Sequence, residues 1–199
     1  MHRITVIENF IDKDDATVLI NEQKNPSEIN PYPEYYKERY GGTAFPYNKR
    51  VMDILKKYSI LSNNKHKELN GFVNPIYTFK AFGSLWTEGT KGGLHIDAQG
   101  PEPWIEFSTI MYLNDQSEYA GGKIYFPNQN FVYEPKQYSA VFFPSSGSEY
   151  VHGITTVTSG IRQTALYMHT SIPKHADPDF LVNDENNRWM AYEYPLTKL

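Results

Sequence analysis

Apolar residues recur at helical spacing in the first third of this chain, and from Gly71 onward they gather in short strand-like runs. Ile4-Thr-Val-Ile7 predicts an opening strand. Asp12 is placed to cap a helix that runs through the mid-20s and stops before Pro26, with Val18 and Leu19 on its buried side. Within residues 47–58, Val51, Ile54, Leu55 and Tyr58 return at helical spacing, which predicts a second helix. From Gly71 to Ile172, short apolar runs are punctuated by Gly, Pro and Asn. That pattern predicts a mainly β chain with flanking helices (α+β), an antiparallel sandwich closed by helices on one side. Residues 26–46 are rich in proline and tyrosine, with Gly41-Gly42 as a turn, and are expected to be irregular. They cover the sheet or form a substrate-facing wall. A tail after Pro173 carries Trp189, Met190, Tyr192 and Tyr194 and is expected to pack back over the sandwich.

At 199 residues the chain is long enough to bury a sizeable core as one domain without disulfides, and it has no cysteine to form them. The absence of cysteine also excludes thiolate metal sites. A net charge of −4 argues against nucleic acid as partner. The lysines at 49, 56, 57, 65 and 67 read as the wet side of the second helix and of the loop after it. No apolar run approaches the roughly 20 residues of a membrane span, and the first residues lack the apolar stretch of a signal peptide. The expectation is a soluble, cytoplasmic protein with no membrane partner. Oligomeric state is left open.

The chemistry concentrates in His95-Ile96-Asp97, His152 and Arg162. Two imidazoles and one carboxylate can occupy one face of a metal and leave the other open, as in non-haem Fe(II) oxygenases. Residues i and i+2 of a strand share a face, so His95 and Asp97 are expected to chelate from one strand. The stretch between His152 and Arg162 is β-branched and ends in Thr158-Ser-Gly160. A hairpin pivoting near Val157 would make His152 and Arg162 cross-strand neighbours, with Cβ atoms about 5 Å apart. Arginine supplies a fork for a distal carboxylate, so the set suits a dicarboxylic keto-acid. The other histidines fit less well. His2 is terminal, and His66 lies in the polar run 62–68, read as a solvated loop. His169 alternates to the strand face opposite Arg162, and ten residues on lies Asp179, of the wrong charge. His175 belongs to the tail.

Several ordered blocks carry a resemblance. Ser108-Thr-Ile-Met-Tyr-Leu-Asn114 follows the His-x-Asp, and Gly121-Gly-Lys-Ile-Tyr-Phe-Pro127 comes next. Glu134-Pro-Lys-Gln-Tyr-Ser-Ala-Val-Phe-Phe-Pro144 precedes the second histidine, and Val157-Thr-Ser-Gly-Ile-Arg162 closes the set. From about Tyr77 to Thr170 the chain resembles the Fe(II)/2-oxoglutarate-dependent dioxygenases of the prolyl 4-hydroxylase-like branch. The resemblance implies a double-stranded β-helix (jelly roll, cupin-like) core over 71–172, with a helical support region at 1–70 and a tail at 173–199. It implies Fe(II) on His95, Asp97 and His152, and 2-oxoglutarate chelating that iron with its C5 carboxylate on Arg162. Tyr112 matches a tyrosine that supports the same carboxylate; its other reading is an aromatic packed in the core. O2 completes the cofactor set, and ascorbate is a candidate reductant. His95, Asp97, His152 and Arg162 are thus the implied catalytic residues. Trp86 falls roughly where related enzymes place a tyrosine near the keto-acid, and Met168 where they often place an aromatic. The glycine-rich 87–93 segment is a candidate lid.

The resemblance implies hydroxylation of an unactivated C–H bond with release of succinate and CO2. The leading substrate is proline within a peptide or protein. A free amino acid, another small molecule or a modified nucleobase is the alternative. Readings from other classes are a non-catalytic jelly-roll module that keeps a metal as a clip, and a zinc hydrolase, since two histidines and an aspartate also suit zinc. Neither explains Arg162.

Overall fold

The computed structural model describes residues 4–25, 45 and 48–181. Its elements are β1 (Thr5–Ile7), α1 (Lys13–Lys24), α2 (Lys49–Asn70), β2 (Tyr77–Thr87), β3 (Gly92–His95), β4 (Phe107–Tyr112) and β5 (Tyr119–Gly121). They continue with β6 (Ile124–Phe126), β7 (Phe131–Tyr133), β8 (Ala140–Pro144), β9 (His152–Ile154) and β10 (Val157–Thr170), with short 3-10 turns between and after them. The expectations for residues 26–44 and for the tail aromatics Trp189, Met190, Tyr192 and Tyr194 fall outside the described residues.

The strands form two antiparallel sheets. The major sheet runs β1-β8-β4-β10-β2, with β5 also paired to β10, and the minor sheet runs β3-β9-β6-β7. The mainly β, helix-flanked architecture expected from the sequence is present, with the helices on the outer face of the major sheet. Each face of that sheet carries its own core. Outward, Met111, Phe142, Ala165 and Tyr167 pack with Leu19, Val51, Leu55 and Tyr58 of the helices. Inward, Ile110, Tyr112, Val141 and Phe143 meet Ile124, Phe126 and Ile154 of the minor sheet. Strand β4 is therefore buried at every position, and its sequence reads as a continuous run rather than an alternation.

Helix α1 starts where Asp12 predicted, but the Asp12 side chain makes no cap hydrogen bond. It accepts instead from Lys57 Nζ at 2.5 Å, tying α1 to α2. Helix α2 is capped by Asn48, whose side chain accepts from the Val51 amide. It ends at Gly71 in the left-handed region (φ 65°), where glycine bears no Cβ penalty. This helix continues twelve residues past the predicted end at Tyr58. The extension corrects the reading of residues 62–68 as a solvated loop. Ser59, Ser62 and His66 continue the buried face at three- and four-residue steps, but as polar residues they hide its periodicity.

Two further expectations fail on topology. Strands β9 and β10 form no hairpin about Val157, because they belong to different sheets. At the corner, the Thr155 amide donates to Lys123 O and Thr156 O accepts from the Gly122 amide. The backbone groups that a hairpin would have paired are taken by the β5–β6 connection. The 87–93 segment is no lid either. The Gly89 amide donates to Val157 O and the Val157 amide to Thr90 O, both at 2.9 Å, so the turn is pinned to β10. No helix of the described residues is long and apolar enough to cross a membrane.

Candidate active site

Strands β3 and β9 pair antiparallel with His95 opposite His152, and the two ring centroids lie 4.4 Å apart. Asp97 is not on the same strand as His95; it sits in the bend after β3 ends. The bend turns its carboxylate back toward both rings, a placement that i, i+2 alternation alone would not produce. His95 Nδ1 donates to Gly93 O at 2.8 Å and His152 Nδ1 to Tyr150 O at 3.1 Å. With the Nδ1 protons so engaged, each ring points its Nε2 inward, the atom that would bind a metal once free of its proton. Both Nε2 atoms face one carboxylate oxygen, Asp97 Oδ1, at 3.3 Å from His95 and 3.8 Å from His152. One ligand atom from each residue lies within 4.8 Å of the others. Ligands each about 2.1 Å from a metal and at right angles are about 3 Å apart, so the set needs little adjustment to close on an ion.

The electrostatics prepare the ligands. Burial pushes the Asp97 carboxyl up, but the hydrogen bond to His95, the charge of His152 and the Ser108 hydroxyl together hold it below the ordinary carboxylate value. The hydrogen bond to Asp97 raises His95 against its own burial. Burial lowers His152, and Asp97 only partly offsets this. The shifts favour the carboxylate of Asp97 and the neutral ring of His152, the forms that bind metal, while His95 is shifted toward its protonated form, which a metal would displace. The triad is open on its His95 side, where the side chain is 36% exposed, against 8% for Asp97 and 4% for His152.

Arg162 lies on the facing sheet. Its cross-strand partner in β10–β2 is Trp86, not His152, and the guanidinium carbon sits 5.2 Å from the ring centroids of both Trp86 and Tyr112. His152 and Arg162 therefore stand on different sheets rather than side by side on one. Arg162 Nε donates to Gly122 O at 3.1 Å. Gly122 has φ 63°, and a Cβ there would come within 2.6 Å of Arg162 Cδ, so the approach requires glycine. Two residues along β10, past Gln163, Thr164 is flanked by Tyr112 on β4 and Ser84 on β2.

Four polar atoms of this patch are buried with no hydrogen-bond partner among the described residues: Arg162 Nη2, Tyr112 Oη, Trp86 Nε1 and Thr164 Oγ1. Burial raises the Tyr112 phenol despite the opposing charge of Arg162, so it stays protonated. All four atoms can then donate. An array of donors around a buried cation suits a ligand that only accepts, such as a carboxylate. Leaving a buried guanidinium incompletely paired costs several kcal/mol, which an anion would relieve.

The other described histidines lie apart from this site. His66 and His169 are fully buried between α2 and the major sheet, and His175 stacks on Trp104 at 4.0 Å. Sequence reasoning did not single out Ser108 or Thr164. Ser108 Oγ donates to Asp97 Oδ2 at 2.5 Å and lies 2.7 Å from Ser145 Oγ. The available signal was a polar residue at an inward position of a strand, with Ser108, Ile110 and Tyr112 in one i, i+2, i+4 row.

The family model described as the 2OG-Fe(II) oxygenase superfamily matches residues 82–189, more than half of the chain. The chain belongs to the 2OG-Fe(II) oxygenase superfamily. Its solved structural neighbours share the jelly-roll core of these oxygenases. A viral collagen prolyl hydroxylase of Paramecium bursaria Chlorella virus-1, in its 2OG complex, superposes with a TM-score of 0.61 at 18% identity, over 85% of this chain and 96% of that one. A truncated form of the same viral enzyme gives 0.63 at 20% identity, over 85% and 90%. A Pseudomonas putida prolyl-4-hydroxylase gives 0.59 at 15% identity, over 85% and 93%. No curated protein matches the chain by sequence. For an oxygenase of this superfamily the two halves of the site have distinct uses. The family implies Fe(II) and 2-oxoglutarate, and the His-Asp-His set and the donor patch are chemically suited to them.

Proposed function

We propose that the chain is an Fe(II)- and 2-oxoglutarate-dependent dioxygenase that hydroxylates an unactivated C–H bond, with proline in a peptide or protein as its substrate. The observation that carries the reading is the pairing, inside one sandwich, of a three-ligand metal set with a buried patch of four unpartnered groups that can all donate. A structural metal clip has no use for that patch, and neither does a zinc hydrolase.

His95, Asp97 and His152 are the residues that would hold iron, and Arg162 and Tyr112 those that would hold the distal carboxylate of the keto-acid. Bound there, ferrous iron would supply the oxidation, in which one atom of O2 enters the C–H bond, the other enters succinate, and 2-oxoglutarate loses CO2. The chain's contribution is position and exclusion. Gly93 O and Tyr150 O fix the two imidazoles with Nε2 inward, and Ser108 holds Asp97 by its outer oxygen. Arg162 is locked by Gly122 O and flanked by two aromatic rings, which keep water from the carboxylate end. The proline substrate class is supported by the two structural neighbours named as prolyl hydroxylases, with which this chain shares the fold.

The test adds Fe(II) and 2-oxoglutarate to anaerobic apo-protein and follows the visible iron-to-keto-acid charge-transfer band, with His152→Ala as control. Blocked proline peptides, free proline and nucleosides are then offered with O2, and products are weighed. A band in wild type alone, followed by gain of one oxygen on peptidyl proline, is the expected result. Oxygen found only on a non-peptide substrate overturns the substrate class, and absence of the band from folded, iron-loaded protein overturns the reaction class.

A further inference from the structure

Asp97 is the one triad residue that stands outside a strand, so its aim depends on what holds the bend. Ser145, the first residue after β8, holds it through three atoms. Its carbonyl accepts from the amide of Ala98, the residue after Asp97, at 3.0 Å. Its amide donates to Glu106 O at 2.9 Å, just before β4 begins. Its hydroxyl lies 2.7 Å from Ser108 Oγ. Ser145 is 1% exposed and Ser108 3%, so bulk water is not an alternative partner for either hydroxyl.

Counting protons fixes the direction of the hydroxyl contact. A hydroxyl carries one proton, and a metal-ligating carboxylate only accepts. Ser108 gives its proton to Asp97 Oδ2, so toward Ser145 it can only accept, and the Ser145 hydroxyl is the donor. The result is a one-way relay from Ser145 to Ser108 to Asp97, in which each bond polarises the next. The two oxygens of Asp97 thereby differ. Oδ1 lies 3.3 Å from His95 Nε2 and 3.8 Å from His152 Nε2, whereas Oδ2 takes the Ser108 hydroxyl at 2.5 Å. An oxygen in so short a charge-assisted bond is held by its donor and is the poorer metal ligand of the two. Were Oδ2 to reach the metal as well, it would intrude on the face that a two-histidine, one-carboxylate set leaves open.

We propose that Ser145 is a positioning residue that, through Ser108, keeps Asp97 Oδ2 off the metal, so that the carboxylate binds through Oδ1 alone and the open face stays free for the keto-acid and O2. Its backbone sets the bend, and its hydroxyl sets which carboxylate oxygen the bend presents. The inference rests on the metal reading of the triad.

The test measures Mn(II) binding to metal-free protein by calorimetry, in wild type, Ser145→Ala, Ser108→Ala and the double variant S108A/S145A. The crystal structure of Mn(II)-loaded wild type is determined beside it. Ser145→Ala keeps both backbone bonds and removes only the hydroxyl, so its Tm stays near that of wild type. Its Mn(II) Kd is expected to rise about three- to tenfold, because a partner one bond further from the metal contributes less than Ser108 does. The double variant is expected to match Ser108→Ala, since Ser145 acts through Ser108, whereas a merely structural hydroxyl would lower Tm and add its own effect. With Mn(II) saturating, the 2-oxoglutarate Kd is expected to rise in each single variant, as the released Oδ2 intrudes on the open face. In loaded wild type, Mn(II) is expected on Oδ1 alone, with Ser108 still on Oδ2. Unchanged Mn(II) or 2-oxoglutarate affinity in Ser145→Ala, or additive losses in the double variant, overturns the relay. Mn(II) on both oxygens of wild type overturns it too, even if a variant fails to fold. Wild type that binds no Mn(II) overturns the metal reading and the relay with it.

Discussion

Two pairs of imidazoles lie on opposite faces of the same strand, one residue apart. Inside the sandwich, His95 and His152 stand 4.4 Å apart by ring centroid, and Ser108 of β4 reaches their carboxylate. Under the helices, His66 and His169 stand 4.7 Å apart, and the next residue, Thr109, bridges them. Thr109 Oγ1 is 2.9 Å from His66 Nε2 and 3.0 Å from His169 Nε2, while His169 Nδ1 is 2.8 Å from Asn63 Oδ1. Ring separation does not distinguish the pairs; their partners do. The inner pair converges on a carboxylate and keeps an exposed edge. The outer pair is saturated by a hydroxyl and an amide and sealed from solvent. One arrangement is built to receive a cation, the other to fill a core with satisfied polar groups.

The comparison breaks or sharpens under substitution, and the largest effects belong to the inner pair. Asp97→Ala or His152→Ala is expected to lower iron affinity more than about 100-fold, since each removes a ligand whose outer partners alone are worth about 10- to 100-fold. Equilibrium dialysis and the charge-transfer band read this out, and near-normal iron binding in either variant would remove the metal assignment. Next comes Arg162→Met, which is expected to weaken 2-oxoglutarate binding about 100-fold through the lost charge-assisted hydrogen bonds. The ligand-free variant loses no melting temperature, because an incompletely paired buried cation leaves with it. A large drop in Tm with intact 2-oxoglutarate affinity would make Arg162 structural.

Smaller effects separate the two faces of β4. Ser108→Ala is expected to lower iron affinity about 10- to 100-fold with little change in stability. Thr109→Val is expected to do the reverse, destabilising by about 1–3 kcal/mol in urea titrations while iron binds as before. Iron lost from Thr109→Val, or stability lost from Ser108→Ala, would collapse the distinction.

The outer pair also sets an acid limb. Burial lowers His169 to about 3, and burial with the neighbouring His169 holds His66 well below its usual value. Both stay neutral in the folded chain, whereas the unfolded chain protonates them below about pH 6.5. The unfolded state then binds more protons, so stability is complete above that pH and falls as pH drops toward about 3. His169 alone contributes up to about 1.4 kcal/mol per pH unit in that window. His169→Leu is expected to flatten the limb in pH-dependent melting of metal-free protein, and an unchanged limb would assign it to other groups.

Much of this was legible beforehand, and the failures share a cause. Residue types at spacing sufficed for α1, for the strand runs and for the ordered blocks around His95, Asp97, His152 and Arg162. His66 was misread because Ser59, Ser62 and His66 are polar residues at buried helical positions, where periodicity is blind to a partner such as Thr109. Thr164 was passed over because a threonine in a strand is ordinary until its hydroxyl is found without a partner beside Arg162. The hairpin was misplaced because Thr155 and Thr156 resemble any strand; only the β5–β6 connection, some thirty residues earlier, claims their backbone groups.

By itself, the order of residues determined which chemistry the chain carries: two imidazoles, one carboxylate and one guanidinium, embedded in strand-forming sequence, with no thiol to compete. Tertiary structure alone decided how these groups meet. Asp97 reaches both rings through a bend, and Arg162 stands on the other sheet, on strands whose pairing depends on long-range hydrogen bonds. Periodicity reports the face on which a side chain lies, but pairing across distant segments determines what that face meets.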